Sequence, residues 1–101
     1  MALIRALSGS SGGGGNVIVD TQSDSVSAGL NTKTMMNVTN IISVLLVLSN
    51  GYVAYGYKNG DSYSFVNPAS THVHMDAINN GNQIAIGSGY STSCTFYVVG
   101  E

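Results

Sequence analysis

Short runs of β-branched and aromatic residues, separated by turn signals, constrain the fold of this chain more than any other feature of its sequence. Asn-Gly pairs stand at positions 50–51, 59–60 and 80–81. This dipeptide between strand-like segments is the strongest local signal of a β-hairpin. The clearest case is the pair of segments Tyr52–Tyr57 and Ser62–Val66 on either side of Lys58–Asp61, which predicts a hairpin.

Further strands are predicted where β-branched residues recur between Gly-rich and Asn-rich turns. They fall at Val17–Val19, within Val26–Val38, and at Thr39–Ser49, His72–Asp76, Gln83–Ile86 and Ser93–Val99. In Thr39–Ser49 a helix competes with a buried strand, and the β-branched residues and flanking asparagines favour the strand. Seven or eight short strands without a helical pattern predict an all-β fold, a small antiparallel β-sandwich with a jelly roll as one specific form.

The chain is poor in charge for a soluble domain. Only 8% of its 101 residues are charged and the net charge is −2, whereas about 25% charged residues is usual. Nucleic-acid binding requires several cations on one face, so we expect no nucleic-acid partner. We also expect no membrane insertion, because the longest apolar run, Ile41–Leu48, is far below the roughly 18 residues that span a bilayer.

The N-terminal segment and the cysteine content indicate a protein made in a cytoplasm. The stretch Met1–Leu7 is too short for a signal peptide and is interrupted by Arg5, so no signal peptide is predicted. With Cys94 as the one cysteine, no internal disulfide can form. We interpret Cys94 as a small buried hydrophobe rather than a catalytic nucleophile.

The low charge also bears on oligomeric state. Exposed sheet edges are usually protected by lysine or other charged side chains, and this chain has three Lys and Arg in total. A domain of this size is marginally stable by itself. We therefore predict a homo-oligomer in which other copies cover edges and faces.

Residues 1–15 differ in composition from the β domain predicted for residues 16–101. Leu3, Ile4 and Leu7 form a short apolar segment, and Ser8–Gly15 is a flexible Gly/Ser linker. One interpretation is a disordered tail. The other is an anchoring arm whose apolar residues bind another protein as an added strand or in a groove.

One segment carries side chains suited to a metal. In a strand, His72, His74 and Asp76 would share a face, and imidazole with carboxylate suits zinc, iron or nickel. Three copies around a threefold axis would supply enough imidazoles for an octahedral site. The alternative is that these side chains form the polar outer face of a strand and bind no metal. Apart from iron or zinc at a trimer axis, we predict no cofactor.

No arrangement of residues predicts an enzyme, because no nucleophile has a base at a recognisable spacing. An aromatic cluster is more informative. Tyr55, Tyr57 and Tyr63 lie on the predicted hairpin and would form an exposed platform for a sugar ring or another protein. The alternative is that these rings are core or cross-strand pairs.

Taken together, the apolar N-terminal segment, the Ser8–Gly15 linker and the charge-poor β domain that ends in Phe96–Gly100 resemble the small accessory structural proteins of tailed bacteriophages. The resemblance implies a homotrimeric virion protein with an arm that binds other virion proteins. It would lie on the tail or baseplate, where it would assist host adsorption, or on the capsid surface as a decoration protein. The spacing of His72 and His74 is similar to that in phage fibre tips, where trimers hold iron on their axis.

Two other functions remain open. A carbohydrate-binding module would bind cell-surface glycans through its tyrosines. A cytosolic self-assembling bacterial protein would share the composition of a virion protein.

Overall fold

The computed structural model describes residues 16–68 and 72–101, and within them it contains eight β-strands and no helix. The strands are β1 (Ile18–Val26), β2 (Gly29–Thr34), β3 (Ile41–Leu48), β4 (Val53–Asn59), β5 (Ser62–Val66), β6 (Val73–Asn79), β7 (Gln83–Ser88) and β8 (Thr92–Gly100). They form a five-stranded sheet in the order β1-β8-β3-β4-β5 and a three-stranded sheet in the order β2-β7-β6, with every pairing antiparallel. The prediction of a small antiparallel β-sandwich is confirmed.

Alternation along the strands fills the space between the two sheets. In β3 and β8, every second side chain is buried after the irregularity at the start of β3, as expected when one face of a strand meets a core. The largest fully buried side chains come from both sheets and from the β2–β3 connection: Phe96, Met35, Ile41, Leu46, Met75, Ile84 and Ile86. The strand interpretation of Thr39–Ser49 is therefore confirmed.

The turns follow the Asn-Gly signals. Gly51, Gly60 and Gly81 all have positive φ, which glycine adopts without the steric cost that a Cβ would add. At the β6–β7 turn Asn80 also has positive φ, and a Cβ on Gly81 would overlap the carbonyl oxygen of Thr39. The β4–β5 hairpin is tighter than predicted, because Asn59 pairs with Ser62 and only two residues lie between the strands.

The first and last strands are neighbours. β1 pairs with β8 along its whole length, from Ile18 opposite Gly100 to Val26 opposite Thr92. β1 is longer than the predicted Val17–Val19 segment because polar residues continue it along the sheet edge. The two ends of the β domain therefore lie side by side.

Side chains close the sandwich where an edge strand of one sheet meets an edge strand of the other. Between β1 and β2, Lys33 Nζ lies 3.2 Å from Asp24 Oδ1. Gln22 donates to the Thr34 carbonyl oxygen and accepts from the Met36 amide. These contacts join β1, at the edge of the five-stranded sheet, to β2 and the residues that follow it, at the edge of the three-stranded sheet.

Between β5 and β6 the closure is different. Phe65 and Tyr63 pack against the core. The Asn67 side chain donates to the carbonyl oxygen of Met75 at 3.0 Å and accepts from its amide at 2.8 Å. Asn67 thus satisfies two backbone groups of the edge strand β6.

Candidate interaction surface on the five-stranded sheet

The outer face of the five-stranded sheet is built by the residues that alternate with the core positions. The register places Thr21, Tyr97, Leu45, Tyr55 and Val66 in one row across all five strands. Cross-strand neighbours in such a row are close enough for their side chains to touch. This row, together with the rows on either side of it, is called the outer face below.

The neighbouring rows add more apolar side chains. On one side the row contains Val19, Val99 and Tyr57, and on the other it contains Val47 and Val53. Several of these side chains are substantially exposed, with fractions of 48% for Tyr97, 53% for Val19 and 61% for Val66, whereas Val47 and Val99 are half-buried. Contiguous exposed apolar surface on a soluble domain usually marks an interaction site.

The face carries no charge at any strand position that points outward. Its polar members are serine, threonine and asparagine. The residues of the same strands that carry a charge at neutral pH, Asp20, Asp24 and Lys58, alternate with the outward positions. A partner can therefore cover this surface without removing a charged group from water, which would be costly.

Two of the three predicted platform tyrosines lie together on this face. The rings of Tyr55 and Tyr57 stack with centroids 5.6 Å apart and planes at 25°. Both are partly exposed, at 39% and 36%. An offset stacked pair of this kind presents a broad aromatic surface with two hydroxyl groups.

Tyr63 does not join them. It pairs with Lys58, the residue after Tyr57. Because successive residues of a strand point to opposite faces, Tyr63 points to the side of the sheet opposite to Tyr57. Its hydroxyl donates to the carbonyl oxygen of Ile41 at 2.7 Å, and burial raises its pKa. The prediction that Tyr63 belongs to the exposed platform is wrong, and its aromatic ring serves the packing between the sheets.

Tyr97 is the surface residue that sequence reasoning missed. It lies across Leu45 from Tyr55, although 42 positions separate the two tyrosines in the chain. Its alternation with Phe96 and Val98 in β8 signals only that it points outward. Its place beside the hairpin depends on the order of the strands, which the sequence does not reveal.

The predicted metal residues occupy the start of β6 at the edge of the other sheet. His74 Nδ1 and Asp76 Oδ1 are 2.7 Å apart, so these two side chains meet as predicted. His72 precedes the strand, and its ring lies edge-on to Tyr90 with centroids 6.0 Å apart. Among the described residues of one copy, no group of three His, Cys, Asp or Glu side chains is placed to hold a metal. A site shared by three copies stays a prediction.

The His74 ring also has a packing role. It lies over Gly87, the residue opposite it on β7, where a Cβ would come within 2.7 Å of the ring. His74 and Asp76 are both partly exposed. The pair therefore forms part of a polar surface on the three-stranded sheet, which matches the alternative interpretation of this segment.

A shallow groove near one end of the five-stranded sheet contains the thiol. Ser23, Asp24, Leu48 and Cys94 are among the residues that line it. Burial and the nearby Asp24 carboxylate raise the pKa of Cys94, so the thiol is protonated at neutral pH. Its behaviour is that of the small buried hydrophobe predicted from the sequence.

The proposed anchoring residues Leu3, Ile4 and Leu7, with the rest of residues 1–15, lie outside the described residues, as do residues 69–71. Within the part that is described, no helix is long and apolar enough to span a membrane. Comparisons with known protein families, with curated proteins and with solved structures gave no match for this chain.

Proposed function

We propose that this chain is a structural protein of a tailed-phage particle, a homo-oligomeric β-sandwich that is attached by its N-terminal arm to the tail, baseplate or capsid surface. The observation that supports it best is the uncharged, aromatic outer face of the five-stranded sheet. Such a face is unfavourable in contact with water and favourable in contact with protein. In an assembly, this face would be covered by another protein.

The arm supplies attachment in this proposal. Leu3, Ile4 and Leu7 bind other virion proteins, and the Ser8–Gly15 linker lets several arms of one oligomer bind at once. Multivalent attachment of this kind makes weak individual contacts durable, because each further contact forms at high effective concentration. The resemblance to phage proteins favours three copies.

The test of this function is to purify the phage particles that are produced from the genome encoding the chain and to ask whether they contain it. Mass spectrometry of purified particles should detect the chain, and a full-length variant with Leu3→Asp and Ile4→Asp should be absent from them. The matched control is Ser8→Asp with Ser10→Asp, which adds the same charge to the linker and should still be incorporated. Absence of the unaltered chain from particles would overturn the proposal.

The stacked pair of Tyr55 and Tyr57 supports a second candidate, a carbohydrate-binding module for cell-surface glycans. Two exposed rings 5.6 Å apart offer an apolar surface with hydroxyl groups at its margin. Tyr55→Ala and Tyr57→Ala should then abolish binding to a glycan array, whereas Tyr52→Ala, at an exposed tyrosine just before β4, should not. An array without signal for the unaltered protein would exclude this candidate.

A further inference from the structure

We infer that the outer face of the five-stranded sheet binds the same face of a second copy, across a twofold axis that passes near Leu45. This inference rests on the proposed function, since it names the partner that covers the assembly surface. Leu45 is the middle outward residue of β3, and β3 is the middle strand of the sheet. A twofold axis at that point brings the most apolar row of each copy against the other.

The chemistry of the face favours a second copy over a charged partner. Its outward strand positions are uncharged, so a partner with acidic or basic side chains would have to desolvate them without a counter-charge. A second copy presents an equally uncharged surface. The net charge of −2 per chain causes only weak repulsion between copies at physiological ionic strength.

The size of the face suits a weak interface. Five strands at about 4.8 Å spacing are about 24 Å across, and the outward residues extend for about 20 Å in β1, β4 and β8 and for about 14 Å in β3 and β5. Two such faces have a combined flat area of roughly 850 Å², just under the size of about 1,000 Å² expected of a specific interface, so we expect the pairing to be weak and concentration-dependent. Sheets pack face to face about 10 Å apart with strands nearly aligned, and this geometry leaves room for the tyrosine rings to interdigitate.

The distribution of side chains also resembles that of an interface. Tyr55, Tyr97 and Leu45 lie centrally, and serine residues of the two edge strands, such as Ser23 and Ser64, lie at the margins. Protein interfaces have this arrangement, with aromatic residues enriched at the core and polar residues at the rim.

A twofold contact restricts the stoichiometry. The same patch on both copies closes a dimer and leaves no free patch. If a threefold contact also forms elsewhere on the molecule, with its axis perpendicular to the twofold axis, the two contacts together give a hexamer. Even-numbered assemblies are therefore expected, and a bare trimer is not.

Sedimentation equilibrium of the full-length chain tests the pairing. Tyr97→Lys places a cation in the buried centre on both copies and should weaken pairing by at least about 100-fold. Leu30→Lys is the matched control, because Leu30 is 91% exposed on the outer face of the other sheet. It should leave the mass unchanged. Circular dichroism verifies that both variants are folded.

Hydroxyl-radical footprinting of the unaltered protein provides a second test that needs no folded variant. Oxidation of Tyr97 and Tyr55 should fall several-fold as concentration rises, while Met36, which is 74% exposed outside the face, should be oxidised equally throughout. A monomer at every concentration would overturn the inference, and so would a trimer that Tyr97→Lys leaves intact. Protection that appears only when oligosaccharide is added would also overturn it. Presence of the chain in particles would still support its role as a structural protein of the particle in each case, although a monomer would also contradict the homo-oligomer in that proposal.

Discussion

Where β1 lies beside β2, charged and amide side chains close the sandwich, whereas aromatic rings and one asparagine close it where β5 lies beside β6. The first side depends on the Asp24–Lys33 ion pair and on the two hydrogen bonds of Gln22. The second depends on Phe65 and on the paired hydrogen bonds of Asn67. Partly exposed ion pairs contribute little to stability, and buried aromatic surface contributes more.

The comparison shows how one small core can have two kinds of boundary. On the β1–β2 side the inward positions near the edge are polar, because their partners on the facing strand satisfy them. On the β5–β6 side the apolar core continues to the edge. We therefore expect the β5–β6 side to contribute more to the free energy of unfolding, and the β1–β2 side to make that free energy depend on pH.

The largest effect is expected from Phe65→Ala on the β5–β6 side. Its ring lies against Gly56, where a Cβ would come within 2.9 Å of it, so its removal leaves a void that the neighbouring strand cannot fill. The free energy of unfolding should fall by about 2–4 kcal/mol, measured by urea denaturation. Phe65→Leu is the control and should recover a large part of the loss. Equal stability of the alanine variant and the unaltered protein would contradict the assignment of this ring to the core.

A smaller loss is expected from Asn67→Ala. The amide and carbonyl of Met75 both lose their partner, and an unsatisfied buried backbone group costs about 1–3 kcal/mol. Asn67→Asp separates the two bonds, since a carboxylate still accepts from the amide but cannot donate to the carbonyl. Chemical denaturation should rank the unaltered protein above the Asp variant and the Asp variant above the Ala variant at a pH where Asp is ionised. A reversed order would show that the two bonds do not act as described.

On the β1–β2 side, Gln22→Ala should cost about 1 kcal/mol. It removes two hydrogen bonds, to Thr34 and from Met36, but water can reach the exposed backbone groups that are left. Thermal unfolding measures the loss, with Thr32→Ala as the control at an exposed position of β2 outside the outer face. A loss larger than that of Asn67→Ala would reverse the expected ranking of the two sides.

The smallest effect is expected from Lys33→Met, which should change stability at neutral pH by less than about 1 kcal/mol. Its value lies in the pH dependence. Burial acts to raise the pKa of Asp24, but the Ser25 amide and Lys33 outweigh it, and the net pKa lies below the ordinary value of 3.8. The stabilisation from Asp24 is thus present above that value and is lost as pH falls through the lowered pKa of the folded state.

Denaturation curves between neutral pH and the acid range should show that Lys33→Met reduces the fall in stability at low pH. Lys58→Met is the control, because Lys58 lies over the Tyr63 ring at 5.3 Å instead of beside a carboxylate. It should leave the acid limb of the profile unchanged. Identical acid limbs for all three proteins would show that the ion pair does not contribute.

The sequence predicted the fold where its signals were local. The Asn59-Gly60 turn located the β4–β5 hairpin, and β-branched residues identified β3 as a strand. The full length of β1 was not predictable, since Asp20, Gln22 and Asp24 occupy inward positions that would ordinarily be apolar. Those residues are accommodated only because partners from the β2 side reach them.

The candidate surface was predictable only in part for a related reason. That Tyr55 and Tyr57 share a face follows from their spacing, whereas the opposite orientation of Tyr63 depends on the exact register of the hairpin. The position of Tyr97 beside them depends on β3 lying between β8 and β4. Spacing along a strand is encoded locally, but neighbours across a sheet are set by the tertiary fold.

The pairing of Ile18 with Gly100 has a consequence for anyone who attaches something to this domain. Because the chain enters and leaves the sandwich at one pole, a bulky C-terminal fusion would lie beside the start of β1, and under the proposed attachment it would crowd the surface that the arm binds. The β3–β4 turn at Asn50-Gly51 lies at the opposite pole, since Leu48 is opposite Cys94 and Ile41 is opposite Gly100. A peptide epitope inserted there would lie at the end of the domain farthest from both of its ends, and under the proposed attachment it would point away from the particle.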